Sequence, residues 1–308
     1  MAFIVNAMVY CKVAIKADET PPDRIVQPGV PQGKVTVGVF EDSKIFPGTR
    51  RDFSVYVPAQ YKGDQPAALM VFQDGDGMKN VNGRWRVPVV FDNLIARGDM
   101  PPTIAVFINP GHDKSKPRQN GKHSNRSFEY DSLGDRYVHF LTEEIIPEVR
   151  RRYTIPDDPE MHAIGGSSSG AISAFTAAWE RTNFFRKVYS RVGSFTNLRG
   201  GNVYPAPVRK TEPKPIRMYM ADTSGDVDNA FGSWWWANQR MATAWPWTRS
   251  VVTTLPAISA SRSSTRLVVR AACYQKSMPT SRSPPAYWPE AITARCTSRM
   301  ERRSIAES

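Results

Sequence analysis

The segment with the clearest chemical content covers residues 161–170 and has the sequence MHAIGGSSSG. It contains Gly166-x-Ser168-x-Gly170, the pattern of a nucleophile elbow, in which a serine sits on a sharp turn between a strand and a helix. Of the three consecutive serines, only Ser168 has a glycine both two residues before it and two residues after it. The pattern therefore predicts that the Ser168 hydroxyl is a nucleophile.

The sequence on either side of this motif favours an elbow over an ordinary serine-rich turn. Residues 161–165 form a short, largely apolar run of strand length, and residues 171–179 have the alanine-rich composition of a buried helix. Glycines permit backbone angles and a close helix–strand approach that a Cβ would obstruct. A serine-rich turn that leads into a helix is the alternative interpretation.

No histidine occupies the place where a general base is expected. In hydrolases with this elbow, an acid and then a histidine follow the serine along the chain. The four histidines here (His112, His123, His139 and His162) all precede Ser168. His162 lies on the strand before the elbow and His139 lies in a predicted helix, so neither is expected to reach Ser168. His112 and His123, in a polar loop, are the remaining candidates.

An oxyanion hole needs two backbone N–H groups near the nucleophile. One comes from the residue after the nucleophile, here Ser169, and the other from a loop that follows a neighbouring strand. The strand at 67–72 runs into the glycine-containing loop 73–77, and we assign the second amide to Asp76 of this loop. A simple surface turn is the alternative for this loop.

The acid that would orient a histidine is expected in the loop after the predicted strand 216–220. This loop contains Asp222, Asp226 and Asp228. We take Asp226 as the preferred acid and Asp222 as the second choice. Each of the three could instead be an ordinary loop carboxylate.

The order of the predicted elements indicates an α/β fold with a doubly wound, mostly parallel sheet. The predicted strands cover 34–40, 52–57, 67–72, 103–108, 161–165, 187–192 and 216–220, and the predicted helices cover 87–95, 135–152 and 171–179. Ligands of such sheets bind beyond the carboxyl ends of the strands. Ser168, Asp74 and Asp226 each follow a strand, so we expect them at one edge of the sheet.

Composition excludes several classes of function. The three cysteines are widely separated and form no disulfide framework or metal pattern, and no apolar run is long enough to span a membrane. No phosphate loop or basic–aromatic repeat points to nucleic acid or to a cofactor. We therefore expect no cofactor, no metal, no nucleic acid and no membrane. Compartment (periplasmic or secreted, or cytoplasmic) and oligomeric state stay open.

The net charge of +12 is concentrated in an unusual C-terminal segment. Residues 245–308 carry 10 basic and 3 acidic side chains, contain 18 serines and threonines, and have no Gly, Asp, Asn, His or Phe. Such a composition is typical of a GC-rich gene translated in the wrong frame. We predict a frameshift near Ala244, and a genuine disordered basic tail is the alternative.

Six peptides together resemble the esterases related to enterochelin esterase and to feruloyl and acetylxylan esterases, which are α/β-hydrolases. They are FQDG (72–75), VVFDNLI (89–95), NRSFEYD (125–131), GGSSSGA (165–171), RGGN (199–202) and RKTEPKP (209–215). The resemblance covers roughly residues 30–244. It implies ester hydrolysis through a Ser-Asp-His triad, with Ser168 at the position of the nucleophile and Asp226 at that of the acid.

The resemblance also implies what this chain lacks. Relatives continue past the tryptophan-rich helix at 234–239 into another strand and a loop that carries the histidine. We therefore expect an irregular segment at 1–30, an incomplete α/β-hydrolase domain at 31–244 without its last strand and helix, and an unrelated, disordered tail at 245–308. The expected function is hydrolysis of a small-molecule or glycan ester, with this chain inactive for want of the histidine. The alternatives are a non-catalytic sugar- or siderophore-binding protein and an acyltransferase.

Overall fold

Eleven strands form one mixed sheet, flanked by helices on both faces, in the computed structural model. The structure describes residues 10–11, 20–117, 123–222, 226–244, 251–254 and 269–271. The expectations about the rest of segments 1–30 and 245–308 lie outside the described residues.

The strands are numbered in chain order. They are β1 (Tyr10–Cys11), β2 (Lys34–Phe40), β3 (Thr49–Val57), β4 (Ala68–Gln73), β5 (Thr103–Ile108), β6 (His112–Asp113), β7 (His162–Ser167), β8 (Lys187–Arg191), β9 (Arg217–Asp222), β10 (Asp228–Asn229), β11 (Gly232–Ser233), β12 (Val251–Thr254) and β13 (Val269–Ala271). The β10 and β11 strands pair only with each other.

The helices are numbered in the same way. They are α1 (Gly75–Lys79), α2 (Val87–Ala96), α3 (Arg126–Tyr130), α4 (Arg136–Phe140), α5 (Ile146–Arg150), α6 (Ser169–Glu180), α7 (Pro205–Lys210) and α8 (Trp234–Ala244). A π-helical turn, Leu141–Ile145, joins α4 to α5, and 3₁₀ turns cover Pro22–Arg24, Pro159–Met161 and Leu198–Val203.

The strand order confirms the predicted doubly wound, mostly parallel α/β sheet. The order is β1-β13-β12-β9-β8-β7-β4-β5-β3-β2, with β6 paired to β3. The strands from β5 through β4, β7 and β8 to β9 are parallel. Since β4 and β5 are buried along their whole length, they have the continuous apolar character of strands covered on both faces.

The sheet differs in one detail from the expected architecture, which ended at β9. The short strand β12, inside the segment predicted to be unrelated to the domain, pairs in parallel with β9, and Val252 lies opposite Met220. The antiparallel strands β13 and β1 extend this edge further. The edge of β9 is therefore covered along the three residues of this register.

Two apolar clusters lie on the two faces of the sheet. The larger one packs α6 and the continuous helical stretch from α4 to α5 against the sheet, with Phe140, Ile164 and Phe175 fully buried. The smaller one packs α2 against β4 and β5 through Phe72, Phe91 and Phe107. Burial of aromatic and branched side chains on both faces stabilises the central strands, whose carboxyl ends position the site.

The N-terminal segment is held by the middle of α2. The Asn93 amide donates to the carbonyls of Asp23 and Ile25 at 3.0 and 2.9 Å. Asp92 accepts hydrogen bonds from the Tyr56 hydroxyl and from the Gly33 N–H, at 2.7 and 2.8 Å. The peptide 89–95 thus ties the chain that precedes β2 to the sheet.

Candidate active site

Ser168 occupies a strained turn between β7 and α6. Its backbone angles are φ 57° and ψ −122°, in a region that a side-chain-bearing residue rarely adopts. The Ser168 N–H donates to the carbonyl of Arg191 at 3.0 Å, and its own carbonyl accepts from the N–H of Ser194 at 3.3 Å. The predicted strand–turn–helix geometry is therefore present, with Ser168 half-buried at the carboxyl edge of the sheet.

The two glycines of the motif are required by contact between the strand and the helix. A Cβ on Gly166 would lie 2.5 Å from the backbone carbon and oxygen of Gly170. A Cβ on Gly170 would lie 3.0 Å from the Gln73 Cβ and 3.3 Å from the Asp74 carboxylate. The start of α6 therefore packs directly against the end of β7 and against the loop after β4.

The loop after β4, which contains Asp76, lies beside the elbow. Asp74 is in the left-handed region (φ 55°) and precedes α1. The N–H of Asp76, assigned to the oxyanion hole from the sequence, donates to Asn109 Oδ1 at 3.1 Å. The N–H of Asp74 donates to the Tyr130 hydroxyl at 3.3 Å, and within the described chain the Gly75 N–H has no such acceptor.

A two-pronged ion pair holds Asp74 in its strained conformation. Arg126 donates to both carboxylate oxygens of Asp74, at 2.8 and 2.7 Å, and its guanidinium lies 5.4 Å from the centroid of the Tyr130 ring. Bidentate arginine–carboxylate pairs fix geometry as well as charge. Arg126 therefore sets the position of the loop beside the elbow.

Asp131 lies in a polar cluster beneath the first turn of α6. It accepts hydrogen bonds from Ser127 at 3.1 Å and from Ser194 at 3.5 Å, and it is also hydrogen-bonded to the side chain of Ser169. Burial raises the pKa of Asp131, although these hydrogen bonds and the nearby Arg126 oppose the rise. The cluster connects α3 to the residue that directly follows Ser168.

A fully buried ion pair fixes α3 to the sheet. Arg51 on β3 donates to both Glu129 oxygens, at 2.7 and 2.9 Å, and its guanidinium lies 4.0 Å from the centroid of the Phe140 ring. Glu129 also accepts from the Gly111 N–H at 3.2 Å. Because these contacts join positions 78 residues apart, the sequence alone assigned no role to them. In the sequence, the charged peptide 125–131, which is part of the resemblance to the esterases, is the only sign that this region matters.

The two candidate acids lie at the end of β9 and in the chain that follows it, at the same edge of the sheet as Ser168. Asp222 is buried at the end of β9, in register with Thr254 of β12. Asp226 is half-buried, and its Oδ1 accepts the N–H of Val227 at 2.7 Å. Among the described residues, the buried Oδ2 of Asp226 has no hydrogen-bond partner. This oxygen is available to accept a hydrogen bond from a donor at the carboxyl edge of the sheet.

All four histidines are within the described residues, and two of them are held by their own neighbours. His162, at the amino end of β7, faces the carbonyls of Pro156 and Phe184 at 2.7 and 3.0 Å. Burial lowers its pKa. His139 contacts Asp135, Glu143 and Arg181 on the surface of α4.

The other two histidines lie on or beside β6, which is not a neighbour of the strand that leads into the elbow. His112 is in β6, which pairs with β3, and His112 bridges to Ser124. Because β6 continues the pairing of β5 with β3, and β5 is separated from β7 only by β4, about two inter-strand spacings, roughly 10 Å, lie between the line of β6 and β7. The carbonyl of His123 accepts the Asp113 N–H, which places His123 beside β6. That no histidine accompanies Ser168 stays a prediction.

The described residues contain neither a membrane-spanning helix nor a metal-binding group of side chains. No helix there is both long and apolar enough to cross a membrane. No group of three or more histidine, cysteine, aspartate or glutamate side chains there is arranged to hold a metal ion.

Comparison with known proteins gives one family and a consistent set of folds. The profile of the family described as Esterase, "Putative esterase", matches residues 43–282. The uncharacterized protein YbbA of Bacillus subtilis (strain 168) is 22% identical over 151 residues, which cover 48% of this chain and 58% of that protein. The chain thus matches little more than half the length of this relative.

Solved esterase structures share the fold. The enterobactin esterase FES of Shigella flexneri, determined with 2,3-dihydroxy-N-benzoyl-serine, is 19% identical with a TM-score of 0.55, over 73% of this chain and 55% of that one. A CE1 ferulic acid esterase of Anaeromyces mucronatus, in complex with ferulic acid, is 16% identical with a TM-score of 0.57, over 80% of this chain and 91% of that one.

Proposed function

The chain belongs to the Putative esterase family, and on that premise we propose that it is a carboxylic-ester hydrolase with Ser168 as its nucleophile. The observation that carries the proposal is the backbone of Ser168, held at φ 57° and ψ −122° between a parallel strand and the first turn of α6. An elbow of this kind presents a serine hydroxyl beyond the edge of the sheet.

The reaction begins with attack of the Ser168 oxygen on the carbonyl carbon of the ester. The carbonyl electron pair moves to oxygen, and the resulting oxyanion is stabilised by the Ser169 N–H at the start of α6. Collapse of this intermediate breaks the bond to the alkoxide, which takes up the proton that Ser168 loses and leaves as the alcohol. Water then hydrolyses the acyl-serine that remains.

A second N–H for the oxyanion comes from the loop after β4. The Asp76 N–H could serve only by giving up Asn109, whereas the Gly75 N–H has no acceptor to give up within the described chain. We therefore favour the Gly75 amide over that of Asp76. Arg126 holds this loop through Asp74, so its contribution is to position the loop.

We propose that this chain lacks the general base that accepts the Ser168 proton in an efficient hydrolase. Asp226 is the proposed acid, and we propose that no histidine bridges Asp226 and Ser168, because all four histidines precede Ser168 in the chain. Removal of a triad member leaves about 10³–10⁴-fold catalysis over water, from binding and the oxyanion hole. We propose that this chain acylates slowly and deacylates more slowly still, and that segment 245–308 is the product of a shifted reading frame.

The substrate class follows by analogy with the solved relatives. Those proteins are named for enterobactin and for ferulic acid. We propose that the substrate of this chain is a small-molecule or glycan ester.

The test is mass spectrometry of the intact chain after incubation with p-nitrophenyl acetate. We expect up to one acetyl group per chain, mapped to Ser168 and absent in Ser168→Ala. Ser167→Ala, which changes the neighbouring serine of the same run, is the matched control and keeps the modification. Acetylation spread over lysines, with none on Ser168, would contradict the proposal.

A further inference from the structure

Four arginines and one tryptophan lie near one another at the carboxyl edge of the sheet, close to the elbow. We call this group the arginine patch, and its members are Arg24, Arg84, Arg86, Arg191 and Trp85. The guanidinium of Arg191, the last residue of β8, lies 4.9 Å from the centroid of the Trp85 ring. Trp85 in turn packs edge to face against Tyr189 at 6.5 Å. Arg191 and Tyr189 of β8 thus contact the segment that contains Trp85.

Hydrogen bonds from arginine side chains to backbone carbonyls join two segments of the patch. Arg24 donates to the carbonyl of Arg84, and Arg86 donates to the carbonyls of Arg24 and Gly83 at 3.2 and 3.1 Å. The patch also borders the start of α2 at Val87, whose N-terminal backbone carries partial positive charge. The arrangement concentrates positive charge at one place.

No carboxylate neutralises this charge within the described part of the chain. Other arginines there do form ion pairs, for example Arg97 with Asp23 and Arg126 with Asp74, but none of the four arginines of the patch does so. Burial, and then repulsion from Arg86, Arg84 and Arg191, lower the pKa of Arg24. Like charges held together in this way attract an anion from solution.

The patch adjoins the nucleophile through β8. Arg191 is opposite Ser167 in the pairing of β7 with β8, and the Arg191 carbonyl accepts the N–H of Ser168. Paired residues of neighbouring strands project to the same face of a sheet, so the Arg191 side chain leaves the sheet beside the elbow. A molecule whose ester group reaches Ser168 therefore passes next to the patch.

We propose that the arginine patch is a subsite for an oxyanion, such as a carboxylate, phosphate or sulfate group, carried by the molecule that reaches Ser168. The position beside the ester rests on the proposed function, whereas binding of the anion requires no turnover. Arg24 lies outside the region matched by the family profile, which begins at residue 43.

The experiment compares two probes of the same size and shape, benzoate and benzamide, which differ in charge. Their affinities for the full chain are measured at low ionic strength by ligand-observed NMR. We expect benzoate to bind about tenfold more tightly than benzamide, and inorganic phosphate to displace it. Added salt should weaken benzoate binding much more than benzamide binding.

Two variants locate the binding and one controls for charge. Arg84→Gln and Arg191→Gln should each lower the preference for benzoate about threefold, which is typical of one partly exposed ion pair. Arg209→Gln, an exposed arginine on α7 that has no ion pair in the described chain, removes the same charge and should leave the preference unchanged. Having both variants protects the test against one that misfolds.

Three results would overturn the subsite: equal affinity for benzoate and benzamide, a preference that survives both arginine substitutions, or failure of phosphate to compete. Ser168→Ala separates this proposal from the proposed function. It should keep the preference for benzoate while abolishing acetylation. If the parent chain binds benzoate but is not acetylated at Ser168, the proposed hydrolase function is refuted and the subsite is not.

Discussion

At the scale of single residues, the site depends on backbone conformations that glycine accepts and other residues resist. Ser168 has positive φ at the elbow, and Asp74 has positive φ in the neighbouring loop. Strain of this kind costs about 1–3 kcal/mol and persists only where the surroundings enforce it. At Ser168 the ladder of β7 and β8 and the first turn of α6 enforce it.

The strain at Ser168 predicts an unusual order of stability. Glycine adopts φ 57° without strain, whereas alanine keeps the Cβ that resists it. We expect Ser168→Gly to unfold at a higher urea concentration than Ser168→Ala, with a difference of about 1 kcal/mol in the free energy of unfolding. Equal stabilities would show that the elbow is relaxed in solution.

The glycines beside Ser168 predict a steric effect of opposite sign. Gly166→Ala places a methyl group 2.5 Å from the backbone of Gly170, which cannot yield as a flexible side chain could. We expect a loss of about 1–3 kcal/mol in the free energy of unfolding. Gly77→Ala is the control, because a Cβ there meets no atom within 4 Å. Equal midpoints for the two variants would contradict the packing described for the elbow.

The ion pair between Arg51 and Glu129 predicts a large effect from a small change. Glu129→Gln leaves a guanidinium buried without its counter-charge, which costs about 3–5 kcal/mol when the pair is fully buried. Glu41→Gln, in an exposed pair with Arg50, should cost less than about 1 kcal/mol. Chemical unfolding of both variants measures the difference, and a mild effect of Glu129→Gln would mean that water reaches Arg51.

At the scale of elements, the sequence predicted most of the sheet and little of the helical detail. Strands 34–40 and 103–108 were predicted with the bounds that the structure has, because apolar or alternating runs between turn residues determine them. The helix predicted at 135–152 contains the π turn Leu141–Ile145. Pro147 explains it, because proline cannot donate to the carbonyl four residues earlier and its ring crowds that group.

Pairing between distant segments could not be predicted from local pattern. The two-residue strand β6 is too short to show a period, and β12 lies in a segment whose composition indicated no domain at all. The same limit applies to the site. Ser168 and Ser169 follow from one local motif, whereas the roles of Arg126, Glu129 and Asp131 arise only when α3 packs against β3, α6 and the loop after β4.

The link between α2 and the N-terminal chain predicts a dependence on pH. Burial raises the pKa of Asp92, and the hydrogen bonds from Tyr56 and Gly33 offset only part of this. Because the folded state then holds the proton more tightly than the unfolded state, stability is greatest below the unfolded pKa of about 4 and falls as the pH rises through the folded value.

Asp92→Asn removes this titration while retaining an oxygen that can accept both hydrogen bonds. We expect the stability of the parent chain to fall relative to that of Asp92→Asn as the pH rises above about 4. Urea unfolding of the two proteins at several pH values tests this. Parallel profiles would show that Asp92 does not change its pKa on folding.

At the scale of the whole molecule, the chain combines a well-formed elbow with an incomplete set of catalytic groups. The family profile extends to residue 282, and β12 covers the outer edge of β9, so the sheet continues beyond the boundary at 244 expected from composition. Neither observation brings a histidine to Ser168, because the chain contains none after His162. The frameshift near Ala244 remains our prediction, and resequencing the gene across codons 240–260 tests it.

We therefore expect that Ser168 can be acylated but that its acyl group is released only slowly. The most direct measurement is the time course of p-nitrophenol release from p-nitrophenyl acetate, followed beside the acetyl content of Ser168. We predict slow release that levels off near one equivalent per chain as acetyl-Ser168 accumulates, and no such phase in Ser168→Ala. Sustained turnover at a rate typical of esterases, abolished by Ser168→Ala, would contradict the account, since it would require a general base at the elbow.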